Sequence, residues 1–243
     1  IEGSIEKPNL LLRKNQKVTN STLYDYFAPY LNVIQNDSIY YKLEYMSRIF
    51  KTPMEGTLPF KDNHYPFFAS INFINQLLKK MENKKFDYFK INNTDHERGK
   101  NILKKIGIPK DAWYVTVHVR QGKKNELFNA NPLTYMKAIK EIIKRGGYVF
   151  RVGDKSMTPL PKIDGLIDYP FTEYKSEFFD TFLAATCRFC IGTSSGYWPL
   201  TTFFGKPALL TNYLPFLDYY ILDDKSLFLP KSFADKNTKK RIM

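Results

Sequence analysis

From about residue 100 onward the chain alternates short apolar runs with segments of helical period, and this alternation limits the fold more than anything else in the sequence. WYVTVHVR reads as a strand, and PLTYMKAIKEIIKRGG as a helix with proline in its first turn and a Gly-Gly stop. YVFRVGD and LIDYP read as further strands. SEFFDTFLAATCR is a helix with Ser176 as its N-cap, FCIGTSSG a strand breaking into a small-residue loop, GYWPLTTFFG a helix and PALLTN a last strand. ERGKNILKKIGIPKDA supplies a helix ahead of them, closed by glycine and then proline. Strands spaced by helices of this length predict parallel βαβ units, hence an α/β fold with a Rossmann-like parallel sheet.

The first hundred residues follow a different pattern. They hold short aromatic-rich pieces, YDYFAPYL and SIYYKLEYM, and an amphipathic segment, INFINQLLKKMENK. The expected organisation is a small N-terminal region over 1–95, the parallel layer over 96–235 and a basic tail over 236–243. The chain opens on IEGSIEKPN, without methionine or a secretory pattern, which reads either as an appended piece or as an internal cut, and a longer native protein stays open.

Ligands of such sheets lie outside the carboxyl ends of the strands, so the polar residues there are the candidates. VTVHVRQGKK ends a strand on His118 and Arg120, two positions apart and therefore on one side. Arginine offers a planar fork that matches two phosphate oxygens. Gly153 and Asp154 end the next strand, the glycine permitting close approach and the aspartate able to accept from hydroxyls or amines. Thr193, Ser194, Ser195 and Gly196 end a third strand just before a helix, where backbone N–H groups favour an anion. Each feature also has a plain structural reading as a salt bridge, a turn or a helix cap. Neither a Walker loop nor a GxGxxG is present, and Ser194 and Ser195 are not in a GxSxG elbow.

The net charge of +13 favours acidic partners or a solvated surface. No nucleic-acid motif accompanies it, so no nucleic-acid partner is expected, although a basic RNA- or membrane-surface protein stays open as an alternative. Two cysteines, Cys187 and Cys190 as CRFC, lack the second pair or histidine cluster of a zinc site. They are read as reduced, buried residues of a cytoplasmic protein, with no metal and no cofactor. Asp223-Asp224 is read as a solvated turn rather than a metal-binding pair.

VTVHVRQGKK, YVFRVGD and FFDTFLAATCRFCIGTSSG together resemble three motifs of the fucosyltransferase superfamily. ERGKNILKKIGIP, VHVR, GGYVFRVGDKSMTPLP, IDYP, FLAATCRFCIGTSSG and FGKPALLTN, over about 97–230, resemble a family of bacterial glycosyltransferases still more closely. The resemblance implies a GT-B glycosyltransferase whose C-terminal nucleotide-sugar domain is the parallel layer, with residues 1–95 as a small acceptor-side domain. It implies metal-independent transfer from a nucleotide sugar, GDP-linked by preference, to a glycan or lipid-linked saccharide in polysaccharide biosynthesis. Arg120 would stabilise the leaving diphosphate, His118 and Asp180 would contact the nucleoside, and Ser195 a phosphate. The chain departs from these patterns in two places. Gln121, Gly122, Lys123 and Lys124 follow the arginine where the superfamily commonly has an acidic residue and a lysine. Phe128 stands where the bacterial family often has arginine. Glu126 and Asp154 are the candidates for a general base. A catalytically inactive nucleotide- or glycan-binding module is the alternative, and peripheral contact with the inner face of an anionic membrane stays open.

Overall fold

The computed structural model describes residues 7, 9–49, 57–60, 63–66, 89–123, 126–214, 225–235 and 237–241. The amphipathic segment at 71–84, Lys124 and Asp223-Asp224 lie outside these residues. The chain divides into two compact units, residues 1–71 and 72–243.

In the first unit β1 (Asn9–Leu12) pairs in parallel with β2 (Asn32–Gln35). Between them runs α1 (Ser21–Phe27), capped by Asn20, whose side chain accepts from the Leu23 N–H at 2.8 Å. α2 (Asp37–Ile49) follows β2, and β3 (Thr57–Phe60) pairs antiparallel with β4 (Asn63–Pro66).

The second unit is an α/β layer built on one six-stranded sheet. It opens with α3 (Asn93–Ile106), capped by Asn92 at its start and by Gly107 at its end. Gly107 has φ +92°, a left-handed turn that glycine adopts without strain. β5 (Tyr114–His118), α4 (Met136–Lys144), β6 (Tyr148–Arg151) and β7 (Leu166–Asp168) follow. Then come α5 (Glu177–Thr186), β8 (Cys190–Gly192), α6 (Tyr197–Phe203), β9 (Ala208–Tyr213) and β10 (Leu227–Pro230). The strand order is β10-β9-β8-β5-β6-β7 with every pairing parallel, as the alternation of strands and helices predicts. Ser176 caps α5, as expected, accepting from the Phe179 N–H at 3.2 Å.

Side-chain alternation along β5 divides the core between the two faces of the sheet. Tyr114 packs with Phe150, Tyr169, Phe179 and Phe182 on the face covered by α3 and α5. Val115 and Val117 pack with Ile139, Ile142 and Val149 on the face covered by α4. Gly99 lets α3 press onto α5, because a Cβ there would stand 2.0 Å from the Phe182 ring. Cys187 and Cys190 are fully buried free thiols, with pKa values pushed up by burial to about 11 and about 12.

Candidate functional site

β5 is the first strand of the sheet, and the chain leaves it in both directions: β6 and β7 lie on one side, β8, β9 and β10 on the other. Such a reversal opens a crevice at the carboxyl ends of the two central strands. The loops after β5 and β8 meet there. The Thr193 N–H donates to the His118 carbonyl at 3.2 Å, and the Arg120 N–H donates to Thr193 Oγ1 at 2.9 Å.

Backbone contacts hold Arg120 in place from several sides. Its carbonyl accepts from the Ala130 N–H at 3.1 Å. The Asn129 amide spans both backbone groups of Gly122, at 2.9 and 2.8 Å. The guanidinium rests 5.5 Å from the centre of the Phe128 ring, and one nitrogen lies 3.5 Å from the Ser194 carbonyl. Among the described residues no carboxylate pairs with it. A half-buried, positioned cation with no acid beside it is suited to an anionic ligand.

The residues after β8 divide by role. Thr193 Oγ1 is committed to Arg120. Ser194 Oγ donates to the Leu214 carbonyl at 2.7 Å and accepts its N–H at 2.8 Å, tying the loop to the end of β9. The Ser195 hydroxyl is buried with no partner among the described residues, and nothing stands within 4 Å of where a Cβ on Gly196 would be. Ser195 and Gly196 are therefore the members of this loop left facing open or unsatisfied space. α6 has only seven residues, so its dipole adds little beyond the local N–H groups.

The imidazole of His118 stacks on Tyr197, with ring centres 5.8 Å apart, and its buried Nδ1 has no partner among the described residues. Burial first, and the nearby Arg151 second, lower its pKa to about 4, against the pull of Asp154. It is a neutral ring at physiological pH. Gly153 has φ +147°, and a Cβ on it would stand 2.3 Å from Met157 Sδ, so the turn after β6 needs glycine. Asp154 accepts from the Ser156 N–H at 2.8 Å, and the bonds from Ser156 hold its carboxyl below the usual range.

Asp180, in the first turn of α5, forms an ion pair with Lys175. Burial raises its pKa against the pull of the Lys175 ammonium. The charges of His118 and Lys175 help to lower the pKa of Asp154, and that of Asp180 helps to raise the pKa of Tyr197. Glu126 is exposed in a 3-10 turn, Glu126–Phe128, and its carboxylate pairs with none of the described residues. No three acidic, cysteine or histidine side chains converge on a common point among the described residues.

Sequence reasoning missed Arg151, Lys175, Tyr197 and the pairing of Gln121. Arg151 is 1% exposed, with Nε 2.7 Å from Asp168 Oδ1 off the N–H axis and an Nη2–H donating to the Thr158 carbonyl at 2.6 Å. Arg151 and Asp168 face one another in the β6–β7 register, and both end their strands, which was the one available signal.

No protein-family model matches the chain, and neither does any curated protein. Among solved structures, the chain is similar to the Escherichia coli ADP-heptose LPS heptosyltransferase II. The TM-score is 0.45 at 10% identity, over 60% of this chain and 45% of that one. It is also similar to KpsC of Thermosulfurimonas dismutans, a β-Kdo 2,7 transferase, at a TM-score of 0.33 and 10% identity, over 98% and 95%. The chain thus spans less than half the length of the heptosyltransferase. Both solved structures are glycosyltransferases by description, and at these scores the likeness carries no weight in reading the site.

Proposed function

We propose that the parallel layer binds a nucleotide sugar, with GDP sugars preferred, and transfers the sugar in a GT-B arrangement related to the fucosyltransferases. Residues 1–95 would serve as the acceptor side, 96–235 as the donor side and 236–243 as a basic tail. The observation that carries this reading is Arg120: its backbone is fixed at the reversal point of the sheet, its guanidinium lies by the Ser194 carbonyl in the loop that holds the unpartnered Ser195 hydroxyl, and no carboxylate among the described residues pairs with it.

In the reaction the bond from the anomeric carbon to the diphosphate oxygen breaks and an acceptor hydroxyl oxygen bonds to that carbon. Its proton passes to a general base or water. Negative charge grows on the leaving diphosphate, and Arg120 stabilises it without a divalent ion. The Ser195 hydroxyl adds a hydrogen bond. Neutral His118, on its Tyr197 platform, offers Nδ1 to the nucleoside side. Asp180 presents a carboxylate to the N–H edge of a base, with Lys175 beside it for a carbonyl oxygen, a pairing that suits guanine. Asp154 and Glu126 are the two candidates for the base. The acceptor would be a glycan or lipid-linked saccharide met on the cytoplasmic face of a membrane. No helix among the described residues is long and apolar enough to cross one.

A second reading, a binding module without catalysis, is favoured by Gln121 standing where the resembling superfamily commonly has an acid and by the exposed position of Glu126. Calorimetric titration of GDP, UDP and CMP with chelator present tests the donor site. Tight binding of one nucleotide supports both readings, and binding of none overturns both.

A further inference from the structure

The loop that carries Arg120 is tied to the next strand's loop by a reciprocal pair of hydrogen bonds. Gln121 Nε2 donates to Thr158 Oγ1 at 3.1 Å, and the Thr158 N–H donates to Gln121 Oε1 at 3.0 Å. Thr158 is itself anchored from below. Its carbonyl takes the 2.6 Å hydrogen bond from Arg151, and Arg151 is held by Asp168. Asp168 Oδ2 accepts from the Leu160 N–H at 2.9 Å, two residues past Thr158. A buried arginine thus fixes the turn over 153–160, and an exposed amide clamps that turn to the residue after Arg120.

We propose that Gln121 and Thr158 are positioning residues for Arg120, setting the direction of its guanidinium toward the diphosphate. This rests on the donor-site reading above. The loop over 120–122 is anchored by Thr193 on the β8 side and by Asn129 beyond it; the Gln121–Thr158 pair supplies its tie on the β6 side. Without that tie the backbone of residue 121 turns more freely. The fork of Arg120, two bonds in fixed geometry, loses more from a small rotation than a point charge would. Gln121 stands where the resembling superfamily commonly has an acid, and its amide does what a carboxylate does not: it donates and accepts at once.

The test is calorimetric titration of GDP and guanosine against the wild type, Gln121→Ala, Thr158→Val, Thr158→Ser and Arg120→Ala, and against Gln121→Ala combined with Arg120→Ala. Loss of two neutral hydrogen bonds should weaken GDP roughly tenfold in Gln121→Ala and a few-fold in Thr158→Val. Thr158→Ser, which keeps the hydroxyl, should restore it. Guanosine affinity should not change, and Gln121→Ala should cost nothing further once Arg120 is alanine. Equal losses for GDP and guanosine, or additive losses in the double variant, would overturn the positioning role while leaving the donor site standing. Should the wild type prefer UDP or CMP, the same series is run with that nucleotide and its nucleoside; wild-type protein that binds none of GDP, UDP and CMP would overturn the donor-site reading itself, and the inference with it.

Discussion

Replacing Gly99 by alanine sets two effects of opposite sign against each other. Gly99 is inside α3, where alanine is favoured over glycine by up to about 1 kcal/mol. Against this, an added Cβ would stand 2.0, 2.2 and 2.4 Å from three carbons of the Phe182 ring, far inside contact distance. Phe182 is 1% exposed and stacks on Phe179 at 5.4 Å, so its ring has no free direction in which to retreat. Forcing extra volume into such a site costs about 1–3 kcal/mol after relaxation. The clash should win. Gly99→Ala is therefore expected to lower stability by up to about 2 kcal/mol net. Both tryptophans, Trp113 and Trp198, lie in the 72–243 unit, so urea denaturation followed by their fluorescence reports on it. In a Phe182→Leu background, where the ring is gone, the same substitution should become neutral or stabilising. Gly99→Ala that stabilises the otherwise unaltered protein would refute the close packing of α3 on α5.

His118 and Arg151 give two more expectations. His118 is held neutral with a pKa of about 4, whereas the unfolded chain takes up a proton near pH 6.5. Its contribution is therefore intact above pH 6.5 and lost as pH falls toward 4, by about 3 kcal/mol at most. Urea stabilities at pH 7 and pH 5 should differ less in His118→Asn than in the wild type; an equal difference would contradict the buried neutral ring. Asp168→Ala strands the buried charge of Arg151 and should cost about 3–5 kcal/mol. Pairing it with Arg151→Met should recover much of that loss, measured by the same denaturation.

Much of the second unit was legible because its signals are local. The period of the strands and helices, Ser176 as a cap and the glycine after α3 each act within a few residues. β10 was missed: its four residues are all exposed, so no burial pattern marks it, and it is a strand only because β9 is beside it. The candidate site was legible as a set of strand ends but not as a set of partners. That Ser194 bonds to Leu214, twenty residues on, and that Thr193 bonds to Arg120 follow from strand order, which periodicity does not reveal. Lys175 meets Asp180 from just outside α5, five positions away, so helical spacing gave no hint of the pair.

The central claim is that Arg120 serves the departure of a nucleoside diphosphate from a sugar. Its most direct test is release of nucleoside diphosphate or monophosphate from a panel of GDP-, UDP- and CMP-sugars, with chelator present, by the wild type and by Arg120→Lys. The account predicts release from one class of donor without added metal. It also predicts a loss in the lysine variant corresponding to about 2–4 kcal/mol of transition-state stabilisation, because an ammonium cannot reproduce the fork. Release that requires a divalent ion, or a lysine variant as active as the wild type, would contradict it.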